Sequence, residues 1–290
     1  MYPHALVRIA LTVNAASGGG LDPEPLAAAM RGHGAQVEVF GCEAQELERL
    51  AATEPDRIAV AGGDGTIGPA AAIAGRLGVP LAVIPAGTAN DFARAMGLPD
   101  DPVAAAELAV TGRGLRRLEL GRLADGRPFV NTASAGLSAR AARLASPFKR
   151  VLGPLAYAVG ALRAAVTEAP LRCAVRVDGT EVFSGGAWQV IVAATGAFGG
   201  GSELGEADAR DGVLDVAVLP AGSRLALARR AWGLRRGTVE EQRPVEHHQG
   251  AAIEVSLPPG TELNVDGELR DGGLARVTVE PGAYALVVPA

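Results

Sequence analysis

Short apolar runs alternate with helix-spaced apolar positions over residues 6–100. Val7-Arg8-Ile9-Ala10-Leu11-Thr12-Val13 reads as a strand, and it ends at Asn14 and the loop Ser17-Gly18-Gly19-Gly20. A helix is expected over 23–33, with proline in the first turn, where a missing amide costs nothing. A second strand is expected over 36–40 and a helix over 44–50. Two more buried runs, 58–61 and 81–84, each precede a helical pattern, the first starting near Ile67. Alternation of this kind builds a parallel sheet with helices on both faces. Ligands of such sheets sit beyond the C-terminal strand ends. Here those ends carry Asn14, residues 62–66 and residues 87–91.

The pattern changes after about residue 122. Period-2 segments dominate at 172–177, 188–193, 214–218, 253–257, 263–265 and 276–279, separated by Gly, Asp and Pro turns. That pattern is an antiparallel β region, interrupted by helical stretches near 138–168 and 223–237. The expected fold is therefore α/β plus β: an N-terminal α/β domain over 1–122 and a β-rich domain over 123–281, with a cleft between them.

The most informative segment is Gly62-Gly63-Asp64-Gly65-Thr66, directly after the run Ile58-Ala59-Val60-Ala61. A glycine turn lets backbone amides approach phosphate oxygens, and the helix behind it adds a partial positive charge. The same pattern also serves as an ordinary strand-to-helix turn. Asp64 inside the turn would repel phosphates unless it works through Mg²⁺ or water. No Lys stands where a P-loop requires one. Gly63-x-Gly65-x-x-Gly68 meets the dinucleotide pattern, but strand 81–84 runs into Pro85-Ala86-Gly87-Thr88-Ala89-Asn90 without the acid that pattern needs.

Composition narrows the class. The chain has 290 residues, 48% of them hydrophobic, enough for one large domain or two ordinary ones. A net charge of −5 argues against a general nucleic-acid-binding surface. Cys42 and Cys173 are far apart and suit reduced thiols in a cytoplasmic protein. Met1-Tyr2-Pro3-His4 has no charged region leading into a long apolar stretch, so no secretory leader is expected. The run 151–166 is broken by Gly153, Pro154, Gly160 and Arg163 and reads as a helix rather than a membrane span.

Several blocks together resemble one family. They are Val13-Asn14 with Ser17-Gly18, residues 62–66, and Pro85-Ala86-Gly87-Thr88-Ala89-Asn90-Asp91-Phe92-Ala93-Arg94. Phe129-Val130-Asn131 with Ser134 and Gly136, Lys149, and Leu152-Gly153-Pro154-Leu155-Ala156-Tyr157 follow. Gly199-Gly200-Gly201, Asp211-Gly212-Val213-Leu214-Asp215 and Val265-Asp266-Gly267-Glu268 complete the set. The chain resembles lipid kinases of the diacylglycerol kinase catalytic type, relatives of sphingosine and ceramide kinases and more distantly of NAD kinases. The 62–66 block is shared across the superfamily, whereas the 87–94 and 266–268 blocks are narrower.

The resemblance implies ATP and Mg²⁺ in a cleft beside a β-sandwich domain. It places Asn14, Ser17, Gly18, Gly62, Gly63, Gly65, Thr66, Gly87, Thr88 and Asn90 around the nucleotide, and Asp64 by the Mg²⁺ and phosphates. Asp91 would join the same acidic network, or cap the helix from Phe92. Glu268 matches the family's general base, as a lipid hydroxyl needs a proton acceptor when it attacks the γ-phosphate. A structural Mg²⁺ would take the Asp211 side chain and the carbonyls of Asp208 and Val213. C-terminal residues of the family often return to the first domain. Residues 282–290, with Tyr284-Ala285-Leu286-Val287-Val288, either do so or simply end the β domain.

Departures from the family pattern stand at Gly41, Gly68, Pro69, Glu119, Thr195-Gly196 and Gly205-Glu206. His247-His248 reads as a solvated loop pair or, with a third ligand, a metal site. No G-x-S-x-G elbow supports serine hydrolysis. Arg224, Arg229, Arg230, Arg235 and Arg236 with Trp232 and Leu234 read as a charged soluble helix or an anionic-membrane contact. The expectation is a cytoplasmic, peripherally membrane-associated kinase of a lipid alcohol, diacylglycerol first, with no nucleic-acid partner and a homodimer left open. The alternatives are an NAD kinase-like enzyme and a nucleotide- or lipid-binding protein with weak catalysis.

Overall fold

The computed structural model describes residues 6–145, 169–198, 202–203, 208–223 and 245–289. Residues 146–168 and 224–237 of the helical stretches expected near 138–168 and 223–237, the Gly199-Gly200-Gly201 run and Gly205-Glu206 lie outside these residues. The chain forms two units. One comprises Met1–Leu120 and Pro281–Ala290, the other Gly121–Glu280.

The first unit begins with β1 (Val7–Val13), α1 (Glu24–Gly32), β2 (Ala35–Gly41), α2 (Ala44–Ala51) and β3 (Arg57–Gly62). It continues with α3 (Asp64–Leu77), β4 (Leu81–Pro85), α4 (Asp91–Ala95), α5 (Pro102–Thr111) and the start of β5 (Gly114–Leu123). The order β4-β3-β1-β2 is parallel throughout. β1, β3 and β4 are almost wholly buried, which is why they read as unbroken apolar runs rather than alternating ones. Ile9, Leu11, Val13, Ala59, Ala61, Ala82 and Ile84 pack with Leu26, Met30, Ala105 and Ala109 of α1 and α5.

The second unit holds β6 (Pro128–Phe129), β7 (Thr132–Gly136), α6 (Leu137–Ala145), β8 (Leu171–Val177), β9 (Thr180–Ala193), β10 (Ala197–Phe198) and β11 (Ser202–Glu203). β12 (Leu214–Pro220), β13 (Glu246–Gly250), β14 (Ala252–Ser256), β15 (Glu262–Val265), β16 (Glu268–Asp271) and the start of β17 (Arg276–Val288) follow, β17 ending in the first unit. It is an antiparallel β-sandwich. β9 is long enough to serve both layers: its first half pairs with β8, and its second half with β7 and β12. Val175 and Val177, Val190 and Val192, Val216 and Val218, and Ile253 and Val255 fill the core. The alternate positions Thr132, Ser134, Gln189, Asp215 and Asn264 are buried polar residues.

Several elements differ from the sequence expectation. α3 begins at Asp64, not near Ile67, so the motif's Asp, Gly and Thr form a helical first turn. The expected strand 188–193 is the second half of β9, whose first half carries Gly185-Gly186 and hides its periodicity. β17 runs from Arg276 to Val288 and carries Gly282 at a positive φ of 58° beside Pro281. Its Leu286 pairs in parallel with Leu81 of β4. His247 and His248 lie on β13, not in a loop.

Candidate functional site

Strand register gathers three loops at one end of the first unit. Val13 lies opposite Ala61, and Gly62 opposite Pro85. The ladder continues past the strands: Asn14 N donates to Ala61 O at 3.0 Å, and Ala86 N to Gly62 O at 2.9 Å. The first loop folds on itself, with Ser17 N donating to Asn14 O at 3.0 Å and Ala16 N to Asn14 Oδ1 at 3.0 Å. Gly18 has φ +61°, and a Cβ there would stand 2.8 Å from Ala86 O. A Cβ on Gly87 would stand 2.6 Å from Gly63 Cα. The three loops therefore meet backbone to backbone, and only glycine allows that approach.

Within these loops the side chains of Asp64, Thr66 and Asn90 are committed to the backbone. Gly63 precedes α3 in extended conformation, and no side chain caps that helix. Gly65 is its second residue, and Thr66 Oγ1 donates back to Gly63 O at 2.6 Å. Asn90, at φ +51°, accepts from Gly87 N at 2.8 Å and donates to Gly87 O at 3.1 Å. Thr88 is exposed. Asp64 Oδ1 accepts from Phe92 N at 2.9 Å and Oδ2 from Asp91 N at 3.2 Å. Asp64 is thus the cap of α4, and a carboxylate at a helix N-terminus is well placed electrostatically. Asp91 is not that cap. It is buried and accepts from Arg94 Nη1 at 3.0 Å, while the other Nη donates to Ala89 O at 2.8 Å. Local capping rules search three residues away, so a cap 27 and 28 residues distant has no sequence signal.

In the second unit, Glu268 opens β16 rather than lying in a turn. Val265 pairs with Glu268, so Asp266 and Gly267 form a two-residue hairpin loop. Their φ values, +47° and +86°, are those of a type I′ turn, the one an Asp-Gly pair favours. The Glu268 side chain is 42% exposed and is ion-paired with Arg270. Asp266 is 7% exposed and accepts from Val130 N at 2.8 Å, Asn131 N at 2.9 Å and Thr132 N at 3.0 Å. Thr195, one of the family departures, donates to Asn131 Oδ1 at 2.7 Å. Sequence reasoning used Asp266 for the resemblance but gave it no role. The Asp-Gly pair between alternating strands signals the turn, but the three distant amides have no linear pattern.

The loop suggested for a structural Mg²⁺, with the Asp211 side chain and the carbonyls of Asp208 and Val213, is tied together by its own hydrogen bonds. Asp208 O accepts from Arg210 N at 2.6 Å and Asp211 N at 3.2 Å. Arg210 grips both carboxylate oxygens of Asp208 at 2.8 Å. Asp211 Oδ1 accepts from Val213 N at 3.0 Å. Among the described residues no group of three or more His, Cys, Asp or Glu is placed to hold a metal. His247 Nε2 lies 2.6 Å from Asp215 Oδ1. Of the remaining departures, Gly41 O accepts from Thr12 Oγ1 at 2.7 Å, Gly68 and Pro69 lie inside α3, and Glu119 is buried on β5.

Comparison with known proteins matches both units in chain order. Residues 8–123 match the diacylglycerol kinase catalytic domain, and residues 131–288 the YegS C-terminal NAD kinase beta sandwich-like domain. A Mycobacterium tuberculosis diacylglycerol kinase is 28% identical over 99% of this chain and 96% of its own. A Pseudomonas aeruginosa YegS-like probable lipid kinase is 30% identical over 98% of this chain and 95% of its own. A crystal structure of a diacylglycerol kinase from Bacillus anthracis superposes with a TM-score of 0.71 at 21% identity, covering 98% of both chains.

Proposed function

The chain belongs to the diacylglycerol kinase catalytic-domain family, with a YegS-type β-sandwich domain, and on that premise we propose that it transfers the γ-phosphoryl group of ATP to the hydroxyl of a lipid alcohol. It is a lipid kinase; donor, acceptor and residue roles are the proposal. The observation that carries the nucleotide half is the backbone-to-backbone meeting of the loops at Gly18, Gly63 and Gly87, ahead of a helix that no side chain caps. Such a surface offers amides rather than side chains, which suits polyphosphate.

In this reading Asn14, Ser17 and residues 62–66 and 87–90 surround the ATP phosphates, which arrive with Mg²⁺ as part of the substrate. Asp64 holds the start of α4 against the phosphate loop. Glu268 accepts the proton of the attacking hydroxyl, and Arg270 releases it as the substrate enters. Diacylglycerol is the first acceptor to test, because the matching domain and relatives carry that name. No helix among the described residues is long and apolar enough to cross a membrane. We therefore propose that the enzyme meets its lipid from the membrane surface.

The test is ADP release from Mg²⁺–ATP with diacylglycerol, a sphingoid base or NAD as acceptor, the lipids in mixed micelles. Turnover with a micellar lipid and none with NAD is expected. Robust NAD phosphorylation without lipid turnover would reverse the assignment.

A further inference from the structure

Glu268 follows a turn that is itself anchored, and this anchoring carries a role nothing above assigns. Asp266 is buried, adopts the left-handed φ of +47°, and spends its carboxylate on three consecutive amides, those of Val130, Asn131 and Thr132. Its own amide donates to Thr132 O at 2.9 Å. The turn is thus tied to the entry of β7 by four hydrogen bonds within one residue. β15 also pairs with β7 in register, Val265 opposite Ala133. A two-residue hairpin has no slack, so anchoring Asp266 fixes where β16 starts, and Glu268 is its first residue.

We propose that Asp266 is the positioning residue of the phosphoryl transfer, setting the place of the Glu268 carboxylate without touching substrate. The clamp extends one step further. The segment it holds carries Asn131, whose Oδ1 accepts from Thr195 Oγ1, and Ala194 N donates to Asn131 O at 2.9 Å. Displacement of the turn would therefore be resisted from β7 and from Ala194 and Thr195, which follow β9. This inference rests on the base role proposed for Glu268, and the experiment separates the two.

Four proteins are compared: wild type, Asp266→Asn, Glu268→Gln and the double variant. Asn puts an NH₂ donor against at least one of the three backbone donors, so the clamp loses at least one of its bonds. Turnover should fall about 10²-fold, the scale of an ångström-sized misplacement, with the KM for ATP unchanged. The double variant should be no slower than Glu268→Gln alone, because a misplaced base that is already absent costs nothing more. Gly267→Val offers a second route if Asp266→Asn does not fold. It strains the turn at φ +86°, where an added Cβ meets nothing within 4 Å, and should give the same pattern. If Glu268→Gln is slow while Asp266→Asn and Gly267→Val turn over normally, or if the losses multiply in the double variant, the positioning role is overturned and the base stands. If Glu268→Gln turns over normally, the base role fails and the positioning role fails with it.

Discussion

Asp64 and Asp266 do the same mechanical job in different units. Each receives amides from a segment far away in sequence: Asp64 those of Asp91 and Phe92, Asp266 those of Val130, Asn131 and Thr132. They differ in what surrounds them. Around Asp64 the site is shaped by missing side chains, with glycines letting three loops touch. Around Asp266 it is shaped by a filled, buried polar clamp. They also differ in the division of labour. In the first unit one carboxylate both holds the frame and sits in the glycine turn proposed to bind phosphate. In the second, the clamp and the proposed base are separate residues two positions apart. Substitution can separate frame from chemistry only in the second unit.

The largest effect should come from Asp64→Ala. It removes two charge-assisted hydrogen bonds and leaves the start of α4 uncapped, which costs about 1 kcal/mol in typical helices. Asp64 lies at a helix start outside the core, so circular dichroism should still report a folded protein. Phosphoryl transfer should drop by at least about 10²-fold, because the 87–90 loop loses its tie to the phosphate loop. Here the ATP Kd should weaken together with kcat, unlike the pattern expected for Asp266→Asn. Wild-type turnover in a folded Asp64→Ala protein would remove both the site and the comparison.

Gly87→Ala tests the claim that absent side chains shape the first unit. Its Cβ would stand 2.6 Å from Gly63 Cα and 2.9 Å from Asn90 Oδ1. The first neighbour is backbone and cannot rotate away, so the two loops must part. Overpacking of this kind costs about 1–3 kcal/mol. A lowered Tm should accompany a weaker ATP Kd, measured by calorimetry. An unchanged Kd would mean that the loop contact serves the fold alone.

The sequence carried the parallel sheet well, because buried strands such as β3 and β4 are unbroken apolar runs. It carried β8, β12 and β15 through their alternation. It lost the first half of β9 to Gly185-Gly186 and β13 to two histidines, since polar or side-chain-free positions erase the period. The glycine loops were legible as residues at strand ends, but their contact was not, because it follows from register. The clamps at Asp64 and Asp266 were invisible for a related reason. A carboxylate that receives amides 27 or 136 residues away has no spacing to read.

A third carboxylate marks the limit of the comparison, and its effect should be the smallest. Asp215 is fully buried like Asp266, but it receives side chains instead of amides: His247 Nε2 at 2.6 Å and Gln249 Nε2 at 3.0 Å, both on Oδ1. Its Oδ2 is buried and has no hydrogen-bond partner among the described residues. Burial raises its carboxyl above the ordinary range, nearby Asp211 adds to the rise, and the bonds from Gln249 and His247 offset it in part. The folded protein therefore holds the proton more tightly than the unfolded chain does. That contribution to stability is complete below the ordinary carboxylate range and is lost as pH rises through the raised folded value. Asp215→Asn cannot ionise and escapes the loss. Urea denaturation between about pH 4 and about pH 7 should show the variant gaining on the wild type as pH rises, then a constant difference. A difference that is flat throughout, or that shrinks with rising pH, would show that the two side chains compensate Asp215 as fully as three amides compensate Asp266. The contrast between amide and side-chain clamps would then disappear.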